Sequence, residues 1–266
     1  MFPIENNKFN INVLLRGGLG NQMFQISSVY AISKNQGANF FATYMNYVNP
    51  HSKNDYSKSI FRKIKWNNDQ YQHFCEPPNL FSCKIEIPKF YQDTLMIGYY
   101  QNEKYFCNFR EQILKLFEIE IDRYLYLTNK YKNLDNSCFI HFRRGDYANN
   151  PDYDVIDDYY EKAFKKFKHI NCCYYILSDD IEYCKKNNSL QEFLMNKEFY
   201  YIENEDELNS LYIMSLCKIG GIAANSSFSW WGGYLNQNPE KKVSYPKKWY
   251  YKNDIIDIWW DGSIIL

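Results

Sequence analysis

In the middle of the chain the sequence reads Cys138-Phe139-Ile140-His141-Phe142-Arg143-Arg144-Gly145-Asp146-Tyr147. Its apolar first half predicts a buried β-strand, and its polar second half predicts a turn at the carboxyl end of that strand. Ligands of α/β proteins bind just beyond such strand ends. Arginine suits phosphate there, because its planar guanidinium donates two parallel hydrogen bonds and keeps its charge. The alternative interpretation is an ordinary surface salt bridge between Arg144 and Asp146.

The sequence after this stretch alternates between helix-like and strand-like segments. A helix is predicted at residues 157–169, with an inward face formed by Tyr160, Ala163, Phe164 and Phe167. Further strands are predicted at residues 172–177, 199–202 and 218–223, and a further helix at residues 205–217. Strands that alternate with helices at this spacing favour a parallel sheet with helices on both faces.

The sequence before the central stretch also begins as an α/β unit. A strand at 11–16, a glycine-rich turn, a helix at 21–35 and a strand at 39–44 form a predicted βαβ start. Residues 46–92 indicate only irregular structure or short helices. A strand at 95–100 and a helix capped by Asn102 follow, with a buried stripe of Phe106, Phe109, Ile113, Leu116 and Phe117. We expect two domains, residues 1–135 and 136–266.

The glycine-rich turn reads Gly17-Gly18-Leu19-Gly20-Asn21-Gln22. A dinucleotide-binding fingerprint would require glycine where Met23 stands, and the lysine of a phosphate-binding P-loop is absent. Backbone N–H groups around Gly18 and Gly20 remain, together with the amides of Asn21 and Gln22, at a helix N-terminus. Such a turn can hold a polar or anionic group. The alternative is a plain turn in which Asn21 caps the helix.

Two further polar segments follow predicted strands. After the strand at 172–177 come Ser178, Asp179 and Asp180, whose carboxylates can bind a metal or accept hydrogen bonds from guanine. The alternative is that Ser178 or Asp179 caps a helix beginning at Ile181.

After the strand at 218–223 come Asn225, Ser226, Ser227 and Phe228. Hydroxyls and unpaired N–H groups at a helix N-terminus suit a diphosphate, although a serine cap before an aromatic core helix is the alternative. Trp230 and Trp231 are expected to pack in the core under either interpretation.

Composition excludes several classes of function. Lys and Arg total 31 of 266 residues, as do Asp and Glu, so the zero net charge argues against indiscriminate nucleic-acid binding. The eight cysteines form no Cys-x-x-Cys pair, and His73 with Cys75 lacks a second ligand pair, so we expect free thiols and no metal. The N-terminal residues do not resemble a signal peptide, and no run of 18 apolar residues occurs. The sequence therefore predicts a soluble, cytoplasmic protein.

The three motifs, in this order and spacing, resemble glycosyltransferase family 11, the α-1,2-fucosyltransferases. They are Gly17-Gly18-Leu19-Gly20-Asn21-Gln22, His141-x-Arg143-Arg144-x-Asp146-Tyr147 and Asn225-Ser226-Ser227-Phe228-Ser229-Trp230-Trp231-Gly232. The resemblance implies a GT-B architecture, with two Rossmann-like domains facing a cleft. It implies inverting transfer of fucose from GDP-β-L-fucose to a terminal galactoside, without a metal or other cofactor. The alternatives are another fucosyl linkage, another GDP-sugar, or a non-catalytic carbohydrate- or protein-binding module.

The resemblance also implies roles for individual residues. Arg143 would hold the β-phosphate and stabilise the departing GDP, and Asn21 would lie near the scissile bond. His141 and the Asp179–Asp180 pair would face the guanosine, and Ser226, Ser227 and Phe228 would hold the phosphates. Asp146 is expected to orient an arginine, with general-base catalysis as its alternative role. The expected substrate-binding set is completed by Arg144, Gly18, Gly20, Gln22, Ser178 and Asn225.

Overall fold

The computed structural model describes residues 8–44, 55–75, 87–148, 150, 158–249 and 257–266. The chain divides into two compact units, Met1–Glu118 and Ile119–Leu266. This division falls earlier than the domain boundary expected near residue 135. The reason is a helix, α3 (Ile121–Lys130), whose Arg123 Nη1 contacts Asp206 Oδ1 at 2.9 Å within the second unit.

The first unit is built on a parallel sheet of four strands. These are β1 (Asn10–Leu15), β2 (Asn39–Tyr44), β3 (His73–Cys75) and β4 (Thr94–Met96), in the order β2-β1-β4-β3. Helix α1 (Leu19–Asn35) connects β1 to β2, which confirms the predicted βαβ start. Because β1 lies between β2 and β4, the segments that follow β1 and β4 leave the same edge of the sheet side by side.

Three expectations for the first unit differ from the structure, one of them only in part. The strand predicted at 95–100 ends at Met96, because Gly98 and Tyr100 have φ values of 158° and 50° and turn the chain. The predicted cap at Asn102 is confirmed, because its Oδ1 accepts from the backbone N–H of Lys104 at 2.9 Å. The helix itself begins as two 3₁₀ turns, Glu103–Tyr105 and Cys107–Phe109, before helix α2 (Arg110–Leu116). Strand β3 lies in a region where no strand was expected.

The second unit contains a parallel sheet of six strands. They are β5 (Ser137–Phe142), β6 (Cys173–Ser178), β7 (Phe199–Tyr201), β8 (Gly220–Ile222), β9 (Lys242–Tyr245) and β10 (Ile264–Ile265). Their order is β10-β9-β8-β5-β6-β7, which confirms the predicted second parallel sheet. The chain runs outward from β5 to β7 and then returns to β8 on the other side of β5. A ligand crevice is expected at such a reversal, beyond the carboxyl ends of β5 and β8.

Helices pack against this sheet through aromatic and aliphatic faces. They are α4 (Tyr159–Phe167), α5 (Ile181–Lys186), α6 (Asn188–Leu194), α7 (Glu207–Leu216) and α8 (Ser227–Leu235). The inward face predicted for the first of these is confirmed, because Tyr160, Ala163, Phe164 and Phe167 are all buried. Trp230 and Trp231 on α8 are fully buried, also as predicted.

Gly220, the first residue of β8, is expected to be intolerant of substitution. Its φ is +125°, and an added Cβ would lie 2.0 Å from the carbonyl oxygen of Lys242 on the neighbouring strand. Both the left-handed backbone and the overlap oppose a side chain, so Gly220→Ala should lower the free energy of unfolding by about 2–3 kcal/mol. Urea denaturation measures this loss. Gly37→Ala is the control, because Gly37 also has a positive φ but nothing within 4 Å of its added Cβ. Equal losses in both variants would contradict the predicted overlap.

Candidate functional site

Arg143 lies at the carboxyl end of β5 between two carboxylates. Its Nη1 contacts Asp179 Oδ2 at 2.8 Å, and its Nη2 donates to Asp146 Oδ1 at 2.5 Å. About a third of the Arg143 side chain (35%) remains exposed, so the guanidinium is held and yet accessible. Asp146 therefore pairs with Arg143, and the alternative interpretation of the motif as a salt bridge between Arg144 and Asp146 is wrong.

Sheet register brings Asp179 to this position. Phe142 and Ser178 are partners on β5 and β6, so Arg143 and Asp179 leave adjacent strands at the same level. Asp179 Oδ1 also accepts a hydrogen bond from the backbone N–H of Arg144 at 2.7 Å. A Cβ added to Gly145 would lie 2.5 Å from Asp179 Oδ2, so glycine at 145 leaves room for this carboxylate. Asp179 thus fixes both the turn and the arginine side chain.

Asp180 and Ser178 have a local structural role. Asp180 Oδ1 accepts from the backbone N–H of Tyr183 at 3.0 Å and caps α5, while the backbone N–H of Asp180 donates to Ser178 Oγ at 2.9 Å. The alternative, in which Ser178 or Asp179 caps this helix, is therefore wrong. The helix begins at Ile181 as that alternative assumed, but its cap is Asp180, since Asp179 is engaged by Arg143 and by the backbone N–H of Arg144.

Arg144 points its guanidinium over the ring of Tyr183, with 4.2 Å between the guanidinium carbon and the ring centroid. This is close enough for a cation–π interaction. Its Nε is buried and has no hydrogen-bond partner within the part of the chain that the structure describes. The sequence predicted Arg144 as a substrate contact but gave no indication that Tyr183 supports it.

His141, the penultimate residue of β5, is buried beside the site. Its ring lies against that of Phe228, with 5.7 Å between centroids, and its carbonyl accepts from Tyr160 Oη at 2.6 Å. Burial, reinforced by the positive charge of Arg143, lowers the pKa of His141 to about 3. The imidazole is therefore neutral near pH 7. Its Nδ1 is buried without a hydrogen-bond partner among the described residues.

The low pKa of His141 predicts a specific pH dependence of stability. The unfolded state takes up a proton near pH 6.5, whereas the folded state resists protonation down to about pH 3. The stabilisation by the neutral imidazole is therefore complete above pH 6.5 and is lost as the pH falls toward 3. We expect His141→Gln to lose less stability than the wild type between pH 7 and pH 4, as measured by urea unfolding. His169→Gln, at an exposed histidine, is the matched control, and parallel curves for wild type and His141→Gln would contradict the prediction.

Helix α8 begins beyond the end of β8, the strand beside β5. Ser226 Oγ accepts from the backbone N–H of Phe228 at 3.3 Å, and Ser229 Oγ accepts from the backbone N–H of Ala224 at 3.1 Å. The alternative interpretation, a serine cap before an aromatic core helix, thus describes the local structure correctly. Asn225 is buried, and its Nδ2 donates to the carbonyl of Trp249 at 3.1 Å. Ser227 and Phe228 remain half-buried at the first turn, where helix N–H groups favour an anion.

The glycine-rich turn of the first unit also leads into a helix, but no side chain caps that helix. Gly17 has a φ of +79°, Gly18 is the residue before α1, and Gly20 lies within its first turn. Gln22 Nε2 donates to the carbonyl of Gly17 at 2.9 Å, which closes the turn. Asn21 does not cap the helix, because it lies inside it. Its Oδ1 instead accepts from Gln101 Nε2 at 2.5 Å.

Two glutamines that the sequence did not single out support this turn. Gln25 accepts from the backbone N–H of Arg16 at 3.0 Å and donates to the carbonyl of Arg16 at 3.2 Å. Gln101 comes from the segment after β4, 80 residues away in sequence. The i, i+4 spacing of Asn21 and Gln25 was the only available sequence signal, since it places both side chains on one face of a helix.

Across the described ranges, no group of three or more His, Cys, Asp or Glu side chains is arranged to hold a metal ion. Within those same ranges, no helix has the length and apolar character needed to cross a bilayer. The seven cysteines that the structure describes are free thiols.

Comparison with known proteins places the chain among glycosyltransferases. The family described as glycosyl transferase family 11 matches residues 4–256. An alpha-1,2-colitosyltransferase of Escherichia coli is 29% identical over 275 residues, which cover 91% of this chain and 92% of that protein. A galactoside 2-alpha-L-fucosyltransferase of Caenorhabditis elegans is 31% identical over 176 residues, 60% of this chain and 46% of that protein. The structure of Arabidopsis thaliana FUT1 with GDP aligns with a TM-score of 0.54 at 11% identity, over 90% of this chain and 70% of that chain. This similarity confirms the predicted α/β fold of the GT-B type.

Proposed function

Because the chain belongs to glycosyl transferase family 11, we propose that it transfers L-fucose from GDP-β-L-fucose to the 2-hydroxyl of a terminal galactoside, with inversion. The observation that carries this proposal is the position of Arg143. Its guanidinium is fixed at the end of β5 by Asp146 and Asp179, and the first turn of α8 follows the adjacent strand. A diphosphate held there would meet a rigid cation and helix N–H groups.

This arrangement suits the chemistry of glycosyl transfer. The sugar develops oxocarbenium character in the transition state, and negative charge builds on the leaving diphosphate. Groups that are already oriented toward that charge stabilise the transition state more than the ground state. We assign this role to Arg143, assisted by Ser226, Ser227 and the N–H groups at the start of α8. Arg144 completes the binding surface, together with Asn225, the residue before Ser226.

The contacts of the carboxylates support a division of labour. Asp146 is bound to Arg143, which supports its role in orienting the arginine rather than in accepting a proton. Asp179 uses one oxygen on Arg143 and the other on the backbone N–H of Arg144, which supports a positioning role for it as well. With Asp179 engaged in this way, we assign the guanosine to the surroundings of His141 and to Ser178 and Asp180, the latter two of which also order the start of α5.

In the first unit, we assign the turn at Gly18 and Gly20, with Asn21 and Gln22, to the transferred sugar and the acceptor. The support is chemical, because amide groups and a helix N-terminus match the hydroxyls and partial charges of a sugar phosphate. We propose that no metal or other cofactor takes part, and the use of a chelator tests that part directly.

A second candidate is transfer of a colitosyl group. It is favoured by the similarity to an alpha-1,2-colitosyltransferase over 91% of this chain. Colitose lacks one hydroxyl that fucose carries, and a pocket that bonds a hydroxyl usually discriminates strongly against an analogue without it. Competition between the two nucleotide sugars for the protein therefore separates the candidates.

Release of GDP tests the proposed function. The protein is incubated in EDTA with GDP-fucose or GDP-colitose, with and without a panel of galactose-terminated acceptors, and its thermal shift with GDP is recorded. Acceptor-dependent release in EDTA is the expected result, and mass spectrometry with linkage analysis identifies the product. Release only from GDP-colitose would replace the first candidate by the second. If GDP causes no thermal shift and no sugar is transferred, the protein is a non-catalytic binding module and both proposals fail.

A further inference from the structure

The two arginines at the end of β5 differ in how their charges are balanced. Two carboxylates, Asp146 and Asp179, form ion pairs with Arg143. Arg144 is half-buried, and no carboxylate among the described residues forms an ion pair with its guanidinium. A half-buried charge without an opposite charge costs stability. An anionic ligand would supply the partner that the described part of the chain does not.

An aromatic ring supports the Arg144 side chain instead of a carboxylate. The guanidinium carbon lies 4.2 Å from the centroid of the Tyr183 ring. The backbone N–H of Arg144 donates to Asp179 Oδ1 at 2.7 Å, so the residue is held at its main chain and at its side chain. A ring attracts a guanidinium through its π-face and does not neutralise the positive charge, as a carboxylate would. Arg144 is therefore fixed in place while its charge stays available.

Tyr183 is itself held firmly. Its backbone N–H donates to Asp180 Oδ1 at 3.0 Å in the first turn of α5. Its hydroxyl accepts from Asn187 Nδ2 at 3.1 Å, and its ring packs edge to face against Phe142 with 6.0 Å between centroids. The side chain is half-buried against the apolar core of the second unit. Because the ring is anchored at its edge and at its hydroxyl, it can keep Arg144 in one orientation.

We propose that Tyr183 is a positioning residue that holds the guanidinium of Arg144 in place for the diphosphate of the nucleotide sugar. This inference rests on the proposed function, in which Arg144 belongs to the surface that binds the donor. Arg143 shares its charge with two carboxylates, so Arg144 adds positive charge that its neighbour cannot supply alone. Tyr183 acts through Arg144 and does not itself contact the substrate.

Calorimetric titration with GDP and with guanosine tests this role. Tyr183→Leu removes the ring and should weaken binding of GDP about fivefold to tenfold. Binding of guanosine should stay unchanged, because guanosine has no phosphates. Tyr183→Phe keeps the ring and loses only the hydroxyl contact with Asn187, so it should bind GDP as the wild type does. In the Arg144→Ala background, Tyr183→Leu should cause no further loss of GDP affinity.

Tyr201→Leu is the matched control. Tyr201 also packs against the core of the second unit, and its hydroxyl accepts from Gln191 Nε2 at 2.8 Å. Its ring lies 5.8 Å from Lys185 Nζ, but that cation already pairs with two carboxylates. We expect Tyr201→Leu to lose about as much stability toward urea as Tyr183→Leu and to bind GDP like the wild type. Tyr183→Met fills more of the space and gives the same test if Tyr183→Leu does not fold.

Each of three results would overturn the inference. They are wild-type affinity for GDP without the ring, an equal loss of GDP affinity in Tyr201→Leu, and a full further loss in the Arg144→Ala background. Failure of the proposed reaction is a separate result, because a wild type that binds GDP but transfers no fucose still allows every titration of the Tyr183 variants. A wild type that does not bind GDP would overturn the inference and the proposed function together.

Discussion

Replacement of Arg143 by alanine is expected to lower kcat about a hundredfold to a thousandfold, which corresponds to about 3–4 kcal/mol of transition-state stabilisation. Two carboxylates, Asp146 and Asp179, hold the guanidinium in place before the substrate arrives, so little reorganisation is needed when charge develops. Alanine removes this fixed cation and leaves the two carboxylates facing the phosphates. Repulsion between like charges then adds to the loss. GDP release with saturating donor and acceptor measures the effect.

Two companion variants make this prediction specific. Arg143→Lys should also be poor, because an ammonium group cannot contact Asp146 and Asp179 in the same forked geometry and still face a phosphate. Lys162→Ala is the control, since it removes an exposed cation that pairs with Asp158 at 2.5 Å on α4. Surface pairs of this kind contribute little, and we expect activity close to that of the wild type. A folded Arg143→Ala protein with more than about a tenth of wild-type activity would contradict the assignment of Arg143.

The elements that the sequence predicted best are those that bury a regular apolar pattern. Strands β5 and β6 are near-continuous apolar runs because they lie inside a parallel sheet, and α4 shows a clear helical period. Helix α3 was not predicted, because Ile121, Tyr124 and Leu125 are exposed on it. Its contacts with the rest of the second unit are largely polar, including the ion pair of Lys130 with Glu205. The spacing of apolar residues in the sequence therefore does not predict such a helix.

The candidate site was predicted as a set of residues but not as a set of contacts. Parallel strands β5 and β6 bring the ends of two motifs together, so the meeting of Arg143 with Asp179 follows from the order of the elements. The use of Asp180 rather than Asp179 as helix cap could not be predicted, because it follows from the contacts of Asp179 with Arg143 and with the backbone N–H of Arg144. Gln101 could not be predicted, because its contact with Asn21 depends on the left-handed backbone of Tyr100.

Replacement of Asp179 by alanine is the second large effect that we expect. The change removes the partner of Arg143 Nη1 and of the backbone N–H of Arg144, and it leaves a gap over Gly145. Loss of charged hydrogen bonds costs about 1.5–3 kcal/mol, so kcat/KM should fall about tenfold to a hundredfold. Asp179→Asn should lose nearly as much activity but less stability. Its oxygen can still accept from Arg144, whereas its NH₂ group would face the donor Nη1 of Arg143.

Binding measurements distinguish this positioning role from direct recognition of guanine. If Asp179 acts through Arg143, Asp179→Asn should weaken binding of GDP and leave binding of guanosine unchanged, because guanosine has no phosphates for Arg143 to contact. If Asp179 bonds the base, both ligands should lose affinity to the same extent. Asp158→Asn is the matched control, since it neutralises an exposed carboxylate that is also paired with a cation, Lys162. Calorimetric titration of the wild type, Asp179→Asn and Asp158→Asn with GDP and with guanosine distinguishes the two roles. If Asp179→Asn loses as much affinity for guanosine as for GDP, Asp179 belongs to the guanosine site, as the family resemblance implies.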